Sequence, residues 1–115
     1  MSVIHEGEIL HIITRRNFDN DARRHFVGRV LEEKKGLVRI EGFAFVYHSG
    51  NDRFHKHPER RVRVFDVGHS GHIVNVLPDE LDIDRIHYGF DENRHLVITD
   101  GDGFELDINE FGLTT

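Results

Sequence analysis

Apolar and polar residues alternate with a period of two along most of the chain, whereas helical periodicity is scarce. This alternation is typical of β-strands, in which successive side chains point to opposite faces. Strands are predicted over residues 8–14, 26–33, 37–48, 61–67 and 72–77. In the last third of the chain, three further alternating runs separated by turns predict an antiparallel meander.

These strands predict an all-β protein, folded as a small antiparallel barrel or a two-layer sandwich of about seven to eight strands. Within residues 37–48 the larger side chains change parity after Gly42, which predicts a bulge or a barrel corner at that glycine. One short helix is predicted near residues 17–25, with Asn17 as its cap. The chain has 115 residues and no linker, which predicts a single domain over residues 1–115.

The composition excludes several classes of function. The chain contains no cysteine, so disulfide frameworks, thiol nucleophiles and cysteine-based zinc sites are ruled out. No serine lies in a GxSxG turn, and no phosphate-binding GxxxxGK[ST] or GxGxxG motif occurs. The first residues do not resemble a signal peptide, and no apolar run reaches membrane-spanning length. We therefore expect a soluble, cytoplasmic binding domain without a membrane partner, rather than an enzyme.

The net charge of −6 combines two unlike parts of the chain. Residues 1–70 contain 13 Lys and Arg against 10 Asp and Glu, whereas residues 71–115 contain 2 against 11. Guanidinium groups bind phosphate and carboxylate bidentately, so we expect a basic face that contacts a polyanion, either nucleic acid or an acidic protein. The candidate residues are the two arginine pairs beside the predicted helix and two arginines of a later strand: Arg15, Arg16, Arg23, Arg24, Arg61 and Arg63.

The same charge asymmetry leaves two other interpretations open. In the first, both sets of charges only solvate the surface of a small domain. In the second, the protein forms a homo-oligomer, in which the acidic last third of one molecule meets the basic first part of the next.

Histidines are concentrated around the segment SGNDRFHKHPERR. His55 and His57, spaced i, i+2, would point the same way from an extended strand, as two imidazoles that bind one metal ion must. A glycine precedes this pair, Glu59 follows it, and His72 comes later; this order resembles part of the cupin pattern over residues 50–75. The resemblance implies a divalent transition metal held by His55, His57 and His72, with His69 as the alternative third histidine. A cupin-like metal-binding protein is therefore the alternative function.

Overall fold

The computed structural model describes residues 3–16, 23–48, 50, 53–68 and 71–108. These residues are almost entirely β structure, with a single 3-10 turn, Ile83–Arg85, as their helical segment. The all-β prediction is therefore confirmed. The strands of this part of the chain are β1 (Ile9–Thr14), β2 (Arg24–Lys34), β3 (Leu37–His48), β4 (Arg53–Lys56), β5 (Arg61–Asp66), β6 (His72–Leu77), β7 (His87–Phe90), β8 (Leu96–Thr99) and β9 (Glu105–Asp107).

The strands form two antiparallel sheets, and the chain divides into two compact units. The first unit, Met1–Ile83, holds a six-stranded sheet with the order β4-β3-β2-β1-β6, in which β5 also pairs with β3. The second unit, Asp84–Thr115, holds the β7-β8-β9 meander. The described strands outnumber the predicted ones because the histidine-bearing residues 53–56 pair with the end of β3 as β4. The single domain over residues 1–115 stays a prediction.

A long hairpin of β2 and β3 forms the centre of the first sheet. Its two-residue loop is Lys35-Gly36, whose φ angles of 53° and 86° are both positive. Such a loop matches the right-handed twist of the two strands that it joins. β3 is long enough to pair with two strands in succession, because residues 37–42 face β5 and residues 45–48 face β4.

Gly42 lies directly opposite Gly28 in this hairpin. A side chain at either position would collide with the backbone of the facing strand, and at Gly42 the collision is with the Val27 carbonyl oxygen. Glycine is therefore required where the two backbones approach each other. The bulge predicted at Gly42 is wrong, because the ladder is regular there; the irregularity of this hairpin lies between Val30 and Glu32.

The first sheet buries side chains on both of its faces. Residues in register share a face, and we name the two faces by their buried residues. The inner face carries the cluster Leu10, Ile12, Phe26, Val30, Ile40 and Ala44. The outer face carries Ile9, His11, Val27, Phe43 and Phe45, all of which are also buried. This arrangement explains the change of parity in β3. The large buried side chains of its first half, Val38 and Ile40, lie on the inner face, whereas those of its second half, Phe43 and Phe45, lie on the outer face; the small Ala44 stays on the inner face.

The first sheet curls until its two edges meet through side chains. The Phe65 ring of β5 lies 5.4 Å from the Phe26 ring and 5.8 Å from the His72 ring of β6. The His72 Nδ1 also donates a hydrogen bond to the Asp66 carbonyl oxygen (3.0 Å). Within the described residues, no backbone ladder joins β5 to β6. The barrel prediction is therefore corrected: the sheet is curled but not closed.

The predicted helix near residues 17–25 is wrong where it can be compared. Residues 17–22, which include its Asn17 cap, lie outside the described residues. Arg24 and His25, however, are the first residues of β2 and pair with β1 on one side and β3 on the other. Ladder hydrogen bonds to two neighbouring strands outweigh the local preference for a helix at these positions.

Two histidines on the outer face are buried next to each other. The rings of His11 and His25 meet edge to face at 5.3 Å, and the His25 ring lies 4.5 Å from the Phe54 ring. The Asn75 Nδ2 donates to the His11 Nδ1 (3.1 Å). Burial lowers the pKa of His11 to about 4, and burial together with the charges of His11 and Arg23 lowers the pKa of His25 to about 3. Both imidazoles are thus neutral in the folded protein at neutral pH.

We expect the free energy of unfolding to fall as the pH drops below 6.5. The unfolded chain takes up a proton at each of these histidines near pH 6.5, whereas the folded protein excludes it down to about pH 4 at His11 and about pH 3 at His25. Each imidazole contributes a slope of up to about 1.4 kcal/mol per pH unit in this window. Urea denaturation at pH 7.5, 6 and 5 measures this change in the free energy of unfolding. His11→Gln and His25→Phe should each lower the slope of unfolding free energy against pH by up to about 1.4 kcal/mol per pH unit, because each removes one proton-binding group. An unchanged slope in both variants would contradict the lowered pKa values of these two histidines.

Gly42→Ala is expected to lower the free energy of unfolding by about 3 kcal/mol, because the added methyl group meets backbone that has no room to shift. Gly89→Ala in β7 is the matched control, since a methyl group there meets no atom within 4 Å. The control should change stability by less than about 1 kcal/mol. Urea denaturation of both variants measures the difference, and equal losses would show that close backbone approach at Gly42 is not the cause.

Candidate anion-binding site

One end of the inner face is assembled from three strands. Because β1 runs antiparallel to both β2 and β6, its last residue Thr14 has Arg24 on one side and His72 on the other. β5 adds Arg61 and Arg63, which pair with Gly42 and Ile40 of β3 and therefore share the inner face with Arg24. We refer to Arg24, Arg61 and Arg63 as the basic cluster.

Arg63 is the member of the basic cluster that the structure holds most firmly. Its guanidinium carbon lies 5.6 Å from the centroid of the Phe26 ring, and Phe26 is itself part of the buried inner cluster. Burial lowers the pKa of the Arg63 guanidinium, and the charges of Arg61 and Arg24 lower it further. Arg63 is therefore close enough to both Arg61 and Arg24 for their charges to repel its own.

Among the residues that the structure describes, few carboxylates compensate this positive charge. Arg61 lies 3.7 Å from Glu59, but both side chains are largely exposed, so the pair contributes little. Arg24 and Arg63 have no ion pair with any residue in the described part of the chain. The basic cluster thus retains an electrostatic repulsion that an anion would relieve.

The structure gives the other three predicted arginines different surroundings. The Arg23 guanidinium lies 5.4 Å from the Tyr47 ring, which belongs to the outer face. Arg15 and Arg16 follow the end of β1 and are exposed, and the Arg15 backbone N–H donates to the Gly71 carbonyl oxygen (2.7 Å). Of the six predicted polyanion-binding residues, three therefore share the inner face of the sheet.

A second group of cations covers aromatic rings of the outer face. The Lys56 Nζ lies 4.3 Å from the centroid of the Phe43 ring, and the Arg60 guanidinium lies 5.2 Å from it. Sequence reasoning missed this group, since β4 was not predicted as a strand. Phe43 is buried, so we interpret these contacts as long cationic side chains that cover apolar surface.

The three predicted metal ligands have different neighbours in the structure. The His55 ring of β4 lies 4.3 Å from the His48 ring. The backbone N–H of His57 donates to the Ala44 carbonyl oxygen (2.9 Å), and His72 is bonded to β5. The described residues contain one group of three potential metal ligands, and it includes none of these histidines. The metal site at His55, His57 and His72 stays a prediction, and His69 lies outside the described residues.

The group that sequence reasoning missed is Asp91, His95 and Asp107, in the second unit. Asp91 and His95 lie in one of the turns predicted between the strands of the terminal meander. Asp107 follows twelve residues after His95, and only the β8–β9 pairing brings the two together. The signal in the sequence is an aspartate and a histidine four residues apart in a hairpin turn, followed by an aspartate in the next strand.

Comparison with known protein families finds none that matches this chain, and comparisons with characterised proteins and with solved structures also find no match. The cupin resemblance stays an interpretation of the residues alone. No helix in the described residues is long and apolar enough to cross a membrane.

Proposed function

We propose that this protein is a non-enzymatic binding domain whose basic cluster, Arg24, Arg61 and Arg63, binds phosphate groups of single-stranded nucleic acid. The observation that carries the proposal is that these cations share the inner face, and that Arg63 lies close enough to Arg61 and Arg24 for their charges to lower its pKa. A phosphate bound beside these arginines accepts charge-assisted hydrogen bonds from them, and its negative charge offsets the repulsion that Arg63 experiences from the other two. Each such bond contributes about 1.5–3 kcal/mol.

The contact with Phe26 supports a phosphate ligand over a base. Phe26 is 2% exposed, so its ring cannot act as a platform on which a base stacks. The ring instead restricts the orientation of the Arg63 guanidinium, which reduces the entropy lost when its planar fork engages an oxyanion. Binding is therefore expected to depend on the backbone of the nucleic acid and little on its base sequence.

The overall net charge of −6 limits the range of the attraction. At physiological ionic strength the Debye length is about 8 Å, so a ligand at the basic cluster responds mainly to the charges beside it. Long-range steering towards a polyanion is therefore absent, and we expect modest affinity that weakens steeply with salt.

The proposal is tested with the full chain and a fluorescently labelled single-stranded oligonucleotide, by anisotropy over a series of salt concentrations. The variant Arg24→Gln/Arg63→Gln loses two charge-assisted bonds and should bind at least about a hundredfold more weakly. Its slope of log K against log salt should be shallower by about 0.7 for each lost phosphate contact. The matched control is Arg39→Gln/Arg85→Gln, which removes the same charge from arginines already paired with Glu32 and Asp102. The control should bind as the unaltered protein does.

Three outcomes would overturn the proposal. Equal weakening in both double variants would indicate a general effect of net charge. Tighter binding of poly-glutamate than of the oligonucleotide, lost in the Arg24→Gln/Arg63→Gln variant, would assign the basic cluster to an acidic protein partner. Salt-sensitive self-association in light scattering, without oligonucleotide binding, would assign it to the acidic part of a second copy of this chain.

A further inference from the structure

Three side chains with metal-ligating atoms converge in the second unit. Asp91 begins the turn between β7 and β8, and His95 ends it. Asp107 is the last residue of β9 and pairs with Val97 of β8, close to His95 in the sequence. One potential ligand atom from each of Asp91, His95 and Asp107 lies within 4.8 Å of the others.

The backbone holds two of these side chains in position. The Asp91 Oδ1 accepts hydrogen bonds from the backbone N–H of Asn93 (2.8 Å) and of His95 (2.9 Å). The Asp91 N–H donates to the His95 carbonyl oxygen (3.0 Å), and the Arg94 N–H donates to the Asp91 carbonyl oxygen (3.0 Å). Arg94 adopts a φ of 63°, which closes the turn. The relative placement of Asp91 and His95 is therefore set before any ion binds.

The strand pairing places the third side chain against the second. The His95 Nδ1 donates to the Asp107 Oδ2 at 2.8 Å, and the Ile108 N–H donates to the Leu96 carbonyl oxygen (2.9 Å), which extends the β8–β9 ladder beside them. With Zn–N and Zn–O distances of about 2.0–2.2 Å, ligand atoms of a tetrahedral site lie about 3.4 Å apart. The three ligand atoms lie within 4.8 Å of one another, so changes of at most about 1.4 Å between them reach that spacing. The ion then takes the place of the proton that His95 Nδ1 shares with Asp107.

We propose that Asp91, His95 and Asp107 bind a divalent transition metal ion of the Zn²⁺ class. An imidazole nitrogen with two carboxylate oxygens suits Zn²⁺ and its neighbours, whereas Ca²⁺ and Mg²⁺ prefer oxygen ligands throughout. Residues 84–108 contain seven Asp and Glu against two Arg, so the local charge also favours a cation. None of its ligands belongs to the basic cluster, so this proposal does not depend on the proposed function.

The exposure of the ligands defines what kind of metal site this is. The His95 side chain is 34% exposed and the Asp107 side chain is 50% exposed, so an ion reaches them directly from solvent. Three protein ligands leave at least one coordination position for water or for a group of a partner molecule. The expected behaviour is reversible loading rather than a permanently occupied structural site.

The test is isothermal titration of the full, chelator-treated chain with Zn²⁺, followed by Co²⁺, whose visible absorption reports tetrahedral coordination. Saturable binding is expected, and Asp107→Asn and His95→Gln should each weaken it at least about tenfold. Asp102→Asn is the matched control, because it removes a carboxylate from the same unit while leaving the three ligands intact. Circular dichroism checks that each variant is folded. If His95→Gln does not fold, the loss of Zn²⁺ binding in Asp107→Asn tests the site instead.

Other results would overturn the proposal. The chain contains ten histidines, so His55→Gln is included; loss of Zn²⁺ binding in that variant, with binding retained in His95→Gln, would place the ion elsewhere. Ca²⁺ binding as tight as that of Zn²⁺ would contradict the assigned metal class. Absence of saturable binding in the unaltered chain would refute the site.

Discussion

The close approach of the β2 and β3 backbones at Gly28 and Gly42 is the constraint on which the first unit depends. Neither glycine can carry a side chain, because each faces the backbone of the other strand. After this point the large buried side chains of β3, Phe43 and Phe45, lie on the outer face instead of the inner face, so that a single sheet contributes to two apolar layers. The same hairpin carries the inner cluster around which the sheet curls, until Phe65 and His72 meet at its edges.

The basic cluster is a consequence of this curl. Arg24 and Arg63 lie on strands that flank β3 on opposite sides, and in a flat sheet they would be far apart along it. Curling of the inner face places the Arg63 guanidinium over Phe26, two residues along β2 from Arg24. Arg24, Arg61 and Arg63 thus lie on one face of the sheet because the side chains of that face pack into a single apolar cluster.

Much of the fold was accessible from local patterns. Period-two alternation and Gly-bearing turns identified most strands and the terminal meander, because side-chain parity and turn chemistry are properties of neighbouring residues. β4 was missed because its short, charged segment has no apolar alternation and exists through its pairing with β3. The helix near residues 17–25 was wrong over Arg24 and His25 for the same reason: ladders on both sides decide their conformation.

The sequence by itself determined the strand-forming segments, the absence of thiol chemistry and the enrichment of arginine in the first part of the chain. Only the tertiary structure decided which arginines act together and that Asp91, His95 and Asp107 converge. It also decided that His11 and His25 are buried as a neutral pair. The physical reason is that register and curl join residues far apart in the chain, and both depend on the summed packing of all the strands, not on any one segment.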